Sequence, residues 1–209
     1  MKKKDIFPIL VVGAGVGLLI QPILANTLPK VHLTLALRAG IFVFFTLLAP
    51  FALWIASLLS RVWKSVYQFA QFAAVGTLNS FIDIGVFNLE AFLLGTLPGT
   101  ALFAVFKAVS FLCATTNSYF WNKNWTFNDA EGKNNAGKVT EFYGIAIVGW
   151  VINVGVATGV KVMGPVSTLW VDIVAPLAGI AASFMWNFIG YKYFVFKKKD
   201  APSVTASIG

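Results

Sequence analysis

Apolar residues gather along this chain into six long stretches, near 6–25, 36–59, 69–94, 101–122, 142–163 and 168–191. Each is long enough to cross about 30 Å of hydrocarbon as a helix. Polar and helix-breaking residues punctuate them. Asn26, Pro29 and Lys30 follow the first stretch, and Ser60, Arg61 and Lys64 the second. Gly95, Pro98 and Gly99 separate the third from the fourth, a polar segment from Asn128 to Lys138 precedes the fifth, and Gly164 with Pro165 precedes the sixth. The pattern predicts an all-α, polytopic transmembrane helical bundle.

Composition agrees with the pattern and removes other classes. Hydrophobic residues make up 58% of the 209 and charged residues 11%, against about 45–50% and about 25% in soluble domains. The longest polar gap is about a dozen residues, which leaves no room for a large soluble catalytic domain. The net charge of +8 is spread between apolar runs and forms no stripe, so nucleic acid is not an expected partner. Cys113 and His32 each stand alone, which rules out an intrachain disulfide and a multi-thiolate metal site. Asp129, Glu131 and Glu141 lie in or beside a polar loop with no His, Cys or second carboxylate arranged around a reacting centre. No catalytic residue, metal or cofactor is expected, and the chain does not read as an enzyme.

Threading six spans in order places Lys2, Lys3, Lys4, Arg61, Lys64, Lys123, Lys133, Lys138, Lys192, Lys197, Lys198 and Lys199 on one side of the membrane. The other side receives Lys30, Arg38 and Lys161. The positive-inside rule then predicts both termini in the cytoplasm. The first stretch, opening on three lysines and ending near Ala25, also has the layout of a secretory signal peptide. Its roughly 20 apolar positions exceed the usual hydrophobic region and Ile23 suits a cleavage site poorly, so a retained helix is expected. Gly13, Gly15 and Gly17 inside it read as small residues for close helix packing.

An internal repeat emerges when the chain is shifted by about 70 residues against itself. Phe81-Ile-Asp-Ile-Gly-Val-Phe87 then lies over Val151-Ile-Asn-Val-Gly-Val-Ala157, pairing Asp83 with Asn153. A shift of 69 lays Ser118-Tyr-Phe-Trp-Asn-Lys-Asn-Trp-Thr-Phe127 over Asn187-Phe-Ile-Gly-Tyr-Lys-Tyr-Phe-Val-Phe196, pairing Lys123 with Lys192. Each unit is a helix pair ending in a Lys-aromatic segment. An even number of spans per unit predicts parallel repeats, not inverted ones. These ordered motifs resemble the GtrA-like family of small polytopic membrane proteins, from about Phe69 to Lys197. The expected organisation is an N-terminal transmembrane pair over 1–65 outside the family core, a four-helix domain over 66–200 with repeats at about 69–127 and 139–196, and a polar tail over 201–209.

The resemblance implies membrane translocation, or flipping, of a polyprenyl-phosphate-linked monosaccharide for cell-envelope polysaccharide synthesis or glycosylation. It further implies a bacterial or archaeal plasma membrane and a membrane glycosyltransferase as working partner, while the small size of the bundle leaves scope for a homo-oligomer that no feature specifies. A non-transporting anchor for a glycosyltransferase and a small-solute exporter stand as the alternatives.

Within the spans, Phe72, Gly76, Asn79, Asp83 and Glu90 share one helical face. Lys107, Ser110, Ala114, Ser118 and Trp121 share another, as do Asp172, Pro176, Gly179, Ser183, Asn187 and Gly190. An isolated intramembrane carboxylate costs at least about 2.5–3.5 kcal/mol, so Asp83 is expected to meet a cation, water or protein. Lys107 can pair with Asp83 or with Glu90, as a helix-orienting contact or as part of a substrate path. Asn117, Ser118, Asn122, Asn187 and Tyr191 are candidates to line the entrance for a polar headgroup. Lys123 and Lys192, set among aromatics, read either as phosphate ligands or as interfacial anchors. With Asn79 and Asn153 these complete the candidate substrate-binding set.

Overall fold

The structure is a computed structural model that describes residues 1–27, 33–94, 102–129, 136–165, 167 and 169–197. Lys30, His32, Lys133, Lys198, Lys199, the turn at 95–99 and the tail over 201–209 lie outside the described residues. Among those described, the secondary structure is helical throughout. There are six α-helices, α1 (Ile6–Thr27), α2 (Leu35–Leu59), α3 (Ser65–Leu94), α4 (Leu102–Trp121), α5 (Ala136–Met163) and α6 (Ala175–Gly190). A 3-10 turn at Lys3–Asp5 leads into α1, and π-helical turns occur at Asn122–Thr126, Trp170–Val174 and Tyr191–Val195.

Five of the helices are long and apolar enough to cross a membrane, and the chain is an integral membrane protein. The helix that falls outside this set is α4, which carries Lys107, Ser110, Thr115, Thr116, Asn117 and Ser118 within 20 residues. Two helices begin earlier than hydropathy predicts, α3 at Ser65 and α5 at Ala136. Hydropathy marks only the hydrocarbon layer, whereas backbone hydrogen bonding continues through the polar interface, where the bilayer totals about 40–45 Å.

The chain divides into two compact units, Met1–Ala130 and Glu131–Gly209. In the first, α1 packs against both α2 and α3, and α3 against α4. Lipid tails are as apolar as leucine, so burial alone cannot drive this association; close van der Waals fit must. The glycines of α1 supply that fit. A Cβ at Gly13 would lie 2.6 Å from the Phe45 carbonyl oxygen and one at Gly17 3.0 Å from the Phe42 Cα, so the backbones of α1 and α2 nearly touch. Ile9, Val12 and Val16 then reach Leu53, Val75, Leu78 and Trp125 in one buried cluster.

In the second unit α5 packs along α6. Trp170 Nε1 donates to the Val160 carbonyl at 2.8 Å, and Trp186 Nε1 to the Ile145 carbonyl at 3.1 Å. Gly179 sets the spacing, because a Cβ there would stand 2.5 Å from the Asn153 carbonyl oxygen and 2.9 Å from the Ala157 Cβ. Gly179→Ala is therefore expected to destabilise the protein by about 1–3 kcal/mol through overpacking. Gly155→Ala, which meets nothing within 4 Å, should be neutral or slightly stabilising. Thermal unfolding of both variants in detergent checks the contrast, and equal melting temperatures would contradict it.

The face expected along α6 is broken. Gly179 and Gly190 are buried, but Asp172 and Pro176 are exposed. Asp172 lies inside the π turn at Trp170–Val174, whose extra residue shifts it from the face that follows, whereas Pro176 stands at the exposed first turn of α6.

The repeat reappears in the backbone. The Phe127 N–H donates to the Asn122 carbonyl and the Phe196 N–H to the Tyr191 carbonyl, both at 2.8 Å, 69 residues apart. Each of these two π turns delivers a buried phenylalanine onto the first helix of its own repeat, α3 or α5. Phe127 meets Phe72 at 6.3 Å between centroids, and Phe196 meets Phe142 at 6.0 Å. Asn128, at a left-handed φ of 52° that asparagine tolerates, turns the chain immediately after the first of them.

Candidate functional site

The seam between α3 and α4 gathers the polar side chains of the first unit. Lys107 Nζ donates to Asp83 Oδ2 at 2.7 Å, and Ser110 Oγ donates to Asp83 Oδ1 at 2.5 Å. Both carboxylate oxygens thus have partners, as a carboxylate removed from water requires. Of the two pairings open in the sequence, the structure takes Asp83–Lys107. Ser110 is fully buried, whereas the Lys107 and Asp83 side chains are 43% and 29% exposed. The pair therefore lines an accessible seam and is not sealed in a core. The ammonium also sits 5.5 Å from the centroid of Phe87, whose ring packs edge-on against Phe103 and Phe106. Glu90, two turns beyond Asp83, has its Oε2 buried with no hydrogen-bond partner among the described residues.

One turn from Asp83, Asn117 Nδ2 donates to Asn79 Oδ1 at 2.7 Å. Further along α4, Asn122 Nδ2 donates to Ser118 Oγ at 3.0 Å. Asn122 Oδ1 and Thr126 Oγ1, both inside the π turn, are buried with no hydrogen-bond partner among the described residues. Polar groups thus step along one seam at intervals of about one helical turn, roughly 5.4 Å each. Lys123, in the same π turn, is only 6% exposed.

The second unit repeats the plan without the ion pair, Asn153 and Pro176 standing where the first has Asp83 and Lys107. Asn153 Nδ2 donates to Ser183 Oγ at 3.3 Å. Asn187 packs against Gly149, and its Oδ1 is buried with no hydrogen-bond partner among the described residues. Tyr191, at the position matching Asn122, stacks on Phe142 at 4.0 Å with the rings nearly parallel. Lys192 lies over the rings of Phe188 and Tyr193, at 5.4 and 5.6 Å. Of the predicted residues, Asn79, Asp83, Lys107, Asn117, Ser118 and Asn122 share the first seam. Asn153, Asn187, Tyr191 and Lys192 belong to the second unit.

Sequence reasoning missed a second acidic centre. Asp5 is 1% exposed. Its Oδ2 accepts from the Tyr67 hydroxyl at 2.7 Å, and its Oδ1 accepts from Trp125 Nε1 at 3.0 Å and Gln71 Nε2 at 3.3 Å. The partners stand 62 to 120 positions away along the chain, so no local spacing could reveal them. The available signal was one acid closing a run of three lysines.

Comparison with known proteins follows the same outline. The model of the GtrA/DPMS transmembrane domain matches residues 71–196, from within α3 through both π-turn phenylalanines. A protein of Bacillus subtilis (strain 168), designated "Uncharacterized membrane protein YngA", is 30% identical over 142 residues, covering 64% of this chain and 82% of that protein. No solved structure matches. The duplicated helix pair, its paired π turns and the extent of the family match lead to one assignment: the chain belongs to the GtrA/DPMS transmembrane-domain family.

Proposed function

We propose that this protein moves a polyprenyl-phosphate-linked monosaccharide between the leaflets of a bacterial or archaeal plasma membrane, for polysaccharide synthesis or glycosylation. The observation that carries the reading is the Asp83–Lys107–Ser110 cluster on an accessible seam, continued by Asn79, Asn117, Ser118 and Asn122. A sugar phosphate cannot shed its water into hydrocarbon, and a ladder of amides, a hydroxyl and an ion pair can replace that water step by step. The polyprenyl tail needs no such path and stays in lipid. In this reading α4 crosses the membrane as a sixth span, its polar side chains protected by α3, and the lysine-rich ends face the cytoplasm. The protein works beside a membrane glycosyltransferase that makes or uses the lipid-linked sugar, and Asn153, Asn187, Tyr191 and Lys192 are the polar groups that the second unit offers a headgroup.

Reconstitution tests the proposal. In vesicles carrying a labelled polyprenyl-phosphate sugar in one leaflet, the protein should accelerate exposure of the label on the other side at least tenfold over protein-free vesicles. Correctly folded protein that leaves the rate unchanged would sink the reading.

A further inference from the structure

A second site lies where α1 begins and α4 finishes, at the end of the first unit away from Lys107. A groove of about 380 Å³ opens there, walled chiefly by Lys4, Phe7, Phe120, Trp121, Asn124 and Asn128. Lys4 Nζ donates to Asn128 Oδ1 at 3.3 Å, which occupies one of the three donors an ammonium carries. Asn124 Nδ2 donates to the Phe120 carbonyl at 2.9 Å, and its amide has a second N–H. Asn128, at its left-handed φ, has both amide hydrogens besides the oxygen that Lys4 meets. Cation and amide donors therefore line the same groove. Phe7 and Phe120, 76% and 52% exposed, supply its apolar part, and Trp121 closes edge-on against Trp125 at 5.7 Å.

Asp5 also borders this groove and would repel an anion if its carboxylate were open to it. Both its oxygens are instead taken by Tyr67, Gln71 and Trp125, and it is almost wholly buried. Its charge remains, but none of its oxygens is open to the groove, so Lys4 is the exposed charge among the lining residues. The second repeat has no equivalent, since Gly190 and Tyr193 occupy the positions matching Trp121 and Asn124. The site exists once, and its cation comes from a segment outside the matched residues 71–196.

We infer that this groove docks the phosphate headgroup of the lipid-linked substrate, with Lys4 and the amides of Asn124 and Asn128 on the phosphate, Trp121 against the sugar and the lipid chain running over Phe7 and Phe120. A compact ammonium with flanking N–H donors suits a phosphate ester, and aromatic side chains at the end of membrane helices sit at headgroup depth. The exposed apolar wall favours a lipid over free phosphate. The inference rests on the substrate class proposed above.

Native mass spectrometry of the purified full chain with added polyprenyl monophosphate tests it. Lys4→Gln should weaken retention about tenfold without changing the melting temperature. Asn124→Asp, which sets a carboxylate opposite the phosphate, should weaken it at least as much. Lys64→Gln, removing an exposed lysine outside the groove, should stay within about twofold of the parent, and millimolar inorganic phosphate should not displace the lipid. Unchanged retention in both groove variants would overturn the site. So would an equal loss in Lys64→Gln, which reduces the effect to general surface charge, or displacement by inorganic phosphate, which removes the lipid from the recognition. Lys4-dependent retention in a protein that moves no sugar would defeat the transport reading and leave the docking site standing.

Discussion

Asp83→Asn and Lys107→Met should each destabilise the protein by about 1–3 kcal/mol, and the double variant by less than either alone. Either single change leaves one member of an ion pair without its partner, and stripping one partner from a buried pair costs about 3–5 kcal/mol. The smaller figure follows from the 43% exposure of the Lys107 side chain, which lets water or headgroups recover part of the loss. Replacing both charges removes the unpaired group, so a coupling energy of about 1 kcal/mol or more should appear in the double-mutant cycle. Transport should behave differently. If the pair handles the sugar phosphate, all three variants should lose movement at least tenfold, because restoring stability does not restore a cation and an acid to the seam. Thermal unfolding in detergent and the vesicle assay, run on the same preparations, separate the two readings. A double variant that regains both stability and transport would make Asp83–Lys107 a helix-orienting contact and remove it from the substrate path.

That pair was legible in the sequence because charge is so scarce. In a chain with 8 acidic residues, an Asp and a Lys on facing sides of consecutive apolar runs have few other partners, and helical periodicity placed Ser110 on the same α4 face as Lys107. The repeat was legible for a related reason: matching Phe127 to Phe196 needs only ordered aromatic positions, and the two rings proved to pack alike, on Phe72 and on Phe142. The π turns that deliver them were not legible. A π turn costs a helix one residue of register, and no residue type in Asn122–Thr126 or Tyr191–Val195 requires it. The same blindness hid the register shift at Asp172, which lies inside the π turn before α6. Early starts of α3 and α5 escaped because hydropathy falls at the interface while the helix continues. The buried Asp5 escaped because a charge in a lysine-rich leader reads as solvated, and only tertiary packing brings Tyr67, Gln71 and Trp125 to it.

Asp5→Ala should be among the most destabilising single changes in the first unit, by about 3 kcal/mol or more. The substitution leaves the Tyr67 hydroxyl, Gln71 amide and Trp125 indole without their acceptor, and each buried donor so stranded costs about 1–3 kcal/mol. Asp5→Asn keeps one carbonyl oxygen and presents an amide that the Tyr67 oxygen can accept, so it should lose less than half as much. The damage should also be local. Asp5 ties the start of α1 to α3 and to the π turn after α4, so its loss should release α1 first and raise hydrogen exchange around Ile9, Val12 and Val16, which are buried against Val75, Leu78 and Trp125. Uniform loosening of both units, or an Asp5→Ala protein as stable as the Asn variant, would contradict this anchoring role. Because Lys4 is adjacent in the chain, Asp5→Ala should also lower polyprenyl phosphate retention while lowering stability. Lys4→Gln should lower retention alone, and that separation distinguishes the residue that holds the groove in place from the one that meets the phosphate.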